Sequence, residues 1–179
     1  MFDFLFRRKP ETPAAQPVPA PAPAPASNVA PGTHLQHDAT LVPELLGDHK
    51  SLLGQFKEIV QATGQRDSAA VVAQLSRFGD DLRGHILKEN IRLYVYLKHS
   101  LQSDEDSLEI MHGFSREMHQ IGRAVTDFLH RYTHEGVWDE VHWVVFERDL
   151  KAVGGVLVKR IQTEESLLYP LYLPPEHYA

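Results

Sequence analysis

"HILKENIRLYVYL", residues 85–97, is the stretch whose reading decides the fold. Leu82, His85, Glu89 and Leu93 recur at steps of three and four, so they share one face of a helix. The same pattern returns as "RIQTEESLLYPLY", residues 160–172. Each copy has a head residue, Ile, two variable positions, Glu, a polar residue, two more positions, then Leu-Tyr. The heads differ: His85 opens one copy and Arg160 the other.

Working outward, helical periodicity holds from about residue 40 onward, with no alternating β-branched run to compete. Helix one is expected from Pro43 to Ala62, on a stripe that includes Leu45, His49, Leu52 and Phe56. Helix two is expected from Ser68 to Leu101 with Asp67 as N-cap, helix three from Leu108 to Tyr132, and helix four from Val141 to Tyr169, where Pro170 stops it. Four such helices with short connections predict an all-α, antiparallel up-down-up-down four-helix bundle over residues 37–175. The two Leu-Tyr copies then lie on helices two and four.

The chain has 179 residues, which suits one domain with a tail. It has no cysteine, so disulfides, thiolate metal sites and thiol catalysis are excluded. The net charge of -6 and the lack of a basic stripe argue against a nucleic-acid partner. No apolar run reaches the ~20 residues of a spanning helix. Residues 1–9, "MFDFLFRRK", form a short apolar-basic segment, too short for a secretory signal. Such a segment suits contact with an anionic membrane surface or a partner groove; the other reading is a frayed terminus. Residues 10–36 are rich in Pro and Ala, which can neither continue a helix nor join a sheet, and read as a disordered linker. The expected setting is a bacterial-type cytoplasm, with peripheral membrane contact left open.

His85 and Glu89 sit where core residues belong. A buried carboxylate is costly unless paired or coordinated. An imidazole and a carboxylate one turn apart make a usable pair of metal ligands, and the other reading is a hydrogen-bonded core pair. Helix one adds His49 within its apolar stripe, and helix four adds Glu164 one turn after Arg160. Glu164 is in phase with Arg160, so its neighbour Glu165 is expected outside. Tyr94, Tyr96, Tyr169 and Tyr172 read as bundle-end packing with wet hydroxyls. His34, His37, His99, His130, His134, His142 and His177 read as surface or loop residues.

With "GDHKSLL" on helix one and the two Leu-Tyr copies on helices two and four, the chain resembles the hemerythrin-like, HHE cation-binding family over most of residues 40–173. The resemblance implies a bundle holding a pair of non-haem irons through His from each helix and carboxylates from helices two and four. It also implies binding or sensing of dioxygen, iron or redox state. Residue by residue, His49, His85, Glu89 and Glu164 match ligand positions. His119 is the nearest candidate on helix three, at a stripe edge or on the surface. Arg160 stands where that family has a ligand His, and a protonated guanidinium is no metal ligand. It is expected to bond Glu164 or Glu89 in place of a metal. This implies an incomplete di-iron site and leaves three states open: a mono-nuclear iron site, a di-nuclear one, or a metal-free bundle. A looser resemblance, in Phe78–Leu82 and "VGGVLVKRIQTEESLLYPL", is to the regulator-of-sigma-D family, and implies a metal-free module that binds a protein partner, a sigma factor. No nucleophile with a base and no phosphate loop is present, so no enzyme is expected.

Overall fold

The structure, a computed structural model, describes residues 28–133 and 138–178. The readings of residues 1–9, of the linker up to residue 27 and of His134 lie outside the described residues, as does the side chain of His119. The first helix, α1, spans Leu41–Gly64. The second, α2, covers residues 68–100: an α-helix over Ser68–Lys88, a π-helical turn over Glu89–Leu93, and α-helix again over Tyr94–Ser100. The third, α3, is Glu105–Tyr132. The fourth, α4, covers residues 140–171, as an α-helix over Glu140–Thr163, a π-helical turn over Glu164–Leu168, and a 3₁₀ turn over Tyr169–Leu171. Among the described residues there is no β-sheet, and Val29 and Gln36 form one isolated bridge. The four-helix bundle expected from periodicity is therefore the fold, and none of its helices is long and apolar enough to cross a membrane.

Three aspartates start three helices. Asp67, Asp104 and Asp139 accept from the backbone N–H of Ala70, Ser107 and His142, satisfying donors that each helix start leaves free.

The core comes in two apolar blocks. One gathers Leu52, Ile59, Leu75, Phe78, Phe128, Phe146 and Leu150. The other gathers Leu41, Leu45, Leu93, Leu97, Met111, Leu168 and Tyr172. Between Leu45 and Leu52 on α1 lies buried His49; between Leu82 and Leu93 on α2 lie buried His85 and Glu89; between Leu157 and Leu168 on α4 lie buried Arg160 and Glu164. On α3 the same level, between Phe114 and Ile121, is held by Met118. Among the described residues, the buried polar groups of this layer come from three helices, and a buried thioether faces them from the fourth.

The chain is packed further back than composition suggested. Residues 28–36, read as linker, return along the bundle end: Ala30 is buried, its N–H donates to the Leu35 carbonyl at 2.7 Å, and His37 stacks on Tyr172 with ring centroids 4.7 Å apart.

Candidate metal centre

Both glutamates of the polar layer open a π-helical turn. In each, the backbone N–H of the tyrosine five residues on donates to the glutamate carbonyl: Tyr94 to Glu89, and Tyr169 to Glu164. Five residues of α-helix would turn Tyr roughly 140° away from Glu. The wider turn brings the two onto one side of the helix. The copies then reach across to each other. Tyr169 Oη donates to Glu89 Oε1 at 2.9 Å, and Arg160 Nη2 donates to Tyr94 Oη at 2.8 Å. Tyr94 and Tyr169 do pack in the apolar block of Tyr96 and Tyr172, but their hydroxyls, expected to be wet, are buried among the polar groups, because the π turns carry them inward. Tyr96 and Tyr172 do pack at the bundle end.

The histidines share one arrangement. His49 Nδ1 lies 2.9 Å from Glu165 Oε1, and His85 Nδ1 lies 3.4 Å from Asp48 Oδ2. A carboxylate outside each ring thus faces Nδ1 and leaves Nε2 toward the centre, as outer-shell carboxylates do for ligating histidines. His49 Nε2 is 3.3 Å from Glu164 Oε2 and 3.1 Å from Tyr169 Oη. His85 Nε2 is 3.9 Å from Glu89 Oε2. Ligand atoms of His49, His85 and Glu164 all fall within 4.8 Å of one another. Glu89 stands beside them, and its Oε2 is buried with no hydrogen-bond partner.

Charge is arranged accordingly. Burial pushes the Glu89 carboxyl up to about 8, helped by nearby Glu164. Burial, with His49 beside it, pushes His85 down to about 4, so its imidazole is neutral and free to ligate. Burial opposes charge on His49, but the bonds from Glu164 and Glu165 outweigh it, and its pKa is raised. Arg160 supplies the fixed cation. Its Nε donates to Glu164 Oε1 at 2.5 Å, its Nη1 reaches Glu117 Oε2 at 3.3 Å, and its guanidinium lies 4.7 Å from the Phe114 ring centroid.

The donors suit one dication. Two imidazole nitrogens and two carboxylates match a borderline metal such as iron or zinc, and the orphaned Glu89 oxygen is an acceptor that such an ion would satisfy. They do not suit two. A second ion beside Glu164 would meet the Arg160 guanidinium, and among the described side chains of α3 the buried one at this level is Met118. A narrow cavity of about 30 Å³ adjoins the layer, lined by Leu52, Phe56, Phe78, Met118 and Val125 and closed by His49, His85, Arg160 and Glu164.

Four of the five candidate ligands, His49, His85, Glu89 and Glu164, lie together here with Arg160. His119 lies on α3, but its side chain is outside the description, and His112 is exposed. Asp48, Glu165, Glu117, Tyr94 and Tyr169 were not foreseen as site residues. Asp48 had a signal, since it precedes His49 and Lys88 follows His85; Lys88 Nζ donates to Asp48 Oδ2 at 2.7 Å. Glu165 is outside as expected, yet its carboxylate folds back onto His49.

A helical bundle with a buried layer of imidazoles and carboxylates from facing helices defines a class of metal-binding bundles. The chain matches the family model of the hemerythrin HHE cation binding domain over residues 40–172, and it belongs to that family. Comparison with curated proteins and with solved structures found no significant match.

Proposed function

We propose that this protein is a non-enzymatic regulator or sensor whose bundle holds one non-haem metal ion, iron by preference, among His49, His85, Glu89 and Glu164. One observation carries the reading: both histidines meet carboxylates at Nδ1, and their Nε2 atoms face the buried carboxylates, His49 toward Glu164 and His85 toward Glu89, with His49, His85 and Glu164 forming one cluster. A bound iron would supply a reversible redox couple beside the apolar cavity. The chain's own groups do the rest. Asp48 and Glu165 fix the rings, Tyr169 holds one oxygen of Glu89, and Arg160 holds one oxygen of Glu164. The cavity admits a small apolar molecule, dioxygen being the natural candidate, while its lining excludes bulk water. A chain without cysteines suits a cytoplasmic setting.

Elemental analysis of the full chain, purified without a histidine tag and then offered ferrous iron under anaerobic conditions, tests this. The expected result is close to one iron per chain, removed by a chelator with a fall in melting temperature. No metal after anaerobic loading would sink the reading. A specific observation favours a second one: Arg160 already neutralises Glu164 without any ion. In that case the bundle is a metal-free interaction module, and its thermal stability is indifferent to chelators.

A further inference from the structure

The polar layer holds a buried hydroxyl whose neighbours are the expected ligand atoms themselves. Tyr169 stacks its ring on His49, with centroids 5.5 Å apart and planes 15° from parallel. Its Oη lies 3.1 Å from His49 Nε2 and donates to Glu89 Oε1 at 2.9 Å. The helices α1, α2 and α4 thus bring an imidazole nitrogen, a carboxylate oxygen and a phenol oxygen to one point. His49 Nε2 also lies 3.3 Å from Glu164 Oε2. These are the spacings of a ligand shell. Two donors that stand about 2.1 Å from one ion, at right angles, are about 3 Å apart. Hydrogen bonds have the same length, so one arrangement serves both: a proton bridges Tyr169 and Glu89, or a cation does.

The matching tyrosine of the other Leu-Tyr copy is used differently. Tyr94 Oη accepts from Arg160 Nη2 at 2.8 Å, and Arg160 Nε donates to Glu164 Oε1. The guanidinium therefore claims one tyrosine and one carboxylate oxygen for its own side of the layer. Tyr169 Oη, Glu89 and Glu164 Oε2 are left with the histidines. Charge points the same way. Glu89 and Glu164 share Arg160 as their buried counter-charge, so beside neutral, ligating imidazoles they leave a single net negative charge. A phenolate adds a second, which a trivalent ion gains from more than a divalent one.

We propose that Tyr169 is a further ligand of the interior ion, bound through Oη as a phenolate, and that it fits the site to ferric iron. This rests on the reading that the layer holds a metal ion. As the ion binds, the Oη–H bond breaks, the proton leaves to solvent, and Oη gives an electron pair to the iron; no redox step is involved. Tyrosine oxygen is a known iron ligand in haem proteins, and it needs no haem to be one.

Ferric nitrilotriacetate, offered to the full chain purified without a histidine tag and stripped of metal, tests the assignment, with zinc(II) offered in parallel. The unaltered chain is expected to bind both metals. Its ferric form should show a visible charge-transfer band, with phenolate ring modes enhanced in resonance Raman on excitation within that band. Tyr169→Phe keeps the ring and its stack on His49. It is expected to lose the band for whatever iron it holds, and its ferric affinity should fall at least roughly tenfold further than its zinc(II) affinity. Tyr132→Phe, in the other apolar block, is expected to keep the band. An iron-loaded chain without the band, a band that survives Tyr169→Phe, or an equal fall for both metals would overturn the assignment and leave the metal site standing. Uptake of neither metal by the unaltered chain would instead remove the metal site, and the assignment with it.

Discussion

At position 160 a guanidinium stands one turn before Glu164 and holds it at 2.5 Å, deep in the bundle. Removing one partner of such a buried pair costs about 3–5 kcal/mol, because the other charge is left without compensation. Arg160→His changes the charge and restores a ligand together. The expected outcome is more metal per chain, read by elemental analysis, and a melting temperature that becomes more dependent on chelator. Unchanged metal content and unchanged stability would show that Arg160 does not stand in for an ion. Glu89 makes the complementary case. Its folded-state pKa is raised to about 8 against an ordinary 4.5, so the folded state prefers the neutral carboxyl. Stability from that preference is complete below about pH 4.5 and is lost as pH rises toward about 8. Glu89→Gln keeps the neutral form at every pH. Metal-stripped Glu89→Gln is therefore expected to match the parent chain near pH 5 and to melt higher than it near pH 8, while binding metal far more weakly. A melting gap that does not widen with pH would contradict this. His49, His85, Glu89, Arg160 and Glu164 were legible in sequence because a polar residue on an apolar stripe conflicts with its surroundings. Tyr94 and Tyr169 were not, because a tyrosine on a stripe conflicts with nothing.

Between residue and bundle, the π-helical turns decide which side chains meet. Ile91 sits within the first turn with its side chain exposed, so deleting it removes one residue of backbone and little packing. The turn then closes as α-helix with Tyr94 four residues after Glu89, roughly 40° around, so the two keep one side. Deletion of Ile91 is therefore expected to leave far-UV helicity unchanged and metal affinity within roughly threefold, because Glu89 and Tyr94 still face together. A loss of roughly tenfold or more would mean that the wide turn itself, and not the shared side, shapes the site. The adjacent glycines of α4 give a test of packing at the same scale. A Cβ on Gly154 would stand 2.5 Å from Phe56 Cζ, whereas one on Gly155 meets nothing within 4 Å. Overpacking costs about 1–3 kcal/mol, and alanine recovers about 1 kcal/mol of helix propensity. Urea titration should therefore show Gly154→Ala destabilised by up to about 2 kcal/mol and Gly155→Ala stabilised by up to about 1 kcal/mol. Equal effects would show that Phe56 yields freely. Helix positions were legible from a period near 3.6 residues, and the N-cap at Asp67 from its residue type. The π turns were hidden because one extra residue in a turn shifts the phase without altering composition. The repeat of Glu followed by Leu-Tyr at the same spacing was their only trace.

Across the whole molecule, the polar layer separates two apolar blocks, and the packed lead-in of residues 28–40 belongs to only one of them, through Ala30 and Leu35. Composition could not mark where that lead-in begins, since Ala30 is buried by what it meets and not by what it is. Its attachments are specific. Arg92 Nη2 donates to Asp38 Oδ2 at 2.5 Å, and the Asp38 N–H donates to Tyr172 Oη at 3.0 Å. Arg92 lies inside the π turn opened by Glu89, and Tyr172 lies just beyond the 3₁₀ turn that follows Glu164. Asp38 therefore ties both Leu-Tyr copies to the chain that leads toward the N-terminus, and strain at either glutamate reaches it through about one helical turn. Two shortened chains separate this coupling from simple packing. A chain beginning at Asn28 keeps every one of these contacts; a chain beginning at Thr40 loses them and uncovers Tyr96 and Tyr172. The shorter chain is expected to melt several degrees lower, at about 2–4 °C per kcal/mol for a bundle of this size. It is also expected to bind cobalt(II) more weakly, although no ligand has been removed. Asp38→Ala in the longer chain should reproduce the loss of affinity with a smaller loss of stability. If both shortened chains bind cobalt(II) equally, the lead-in is only a cover for the bundle end, and the two glutamates are not mechanically connected to it.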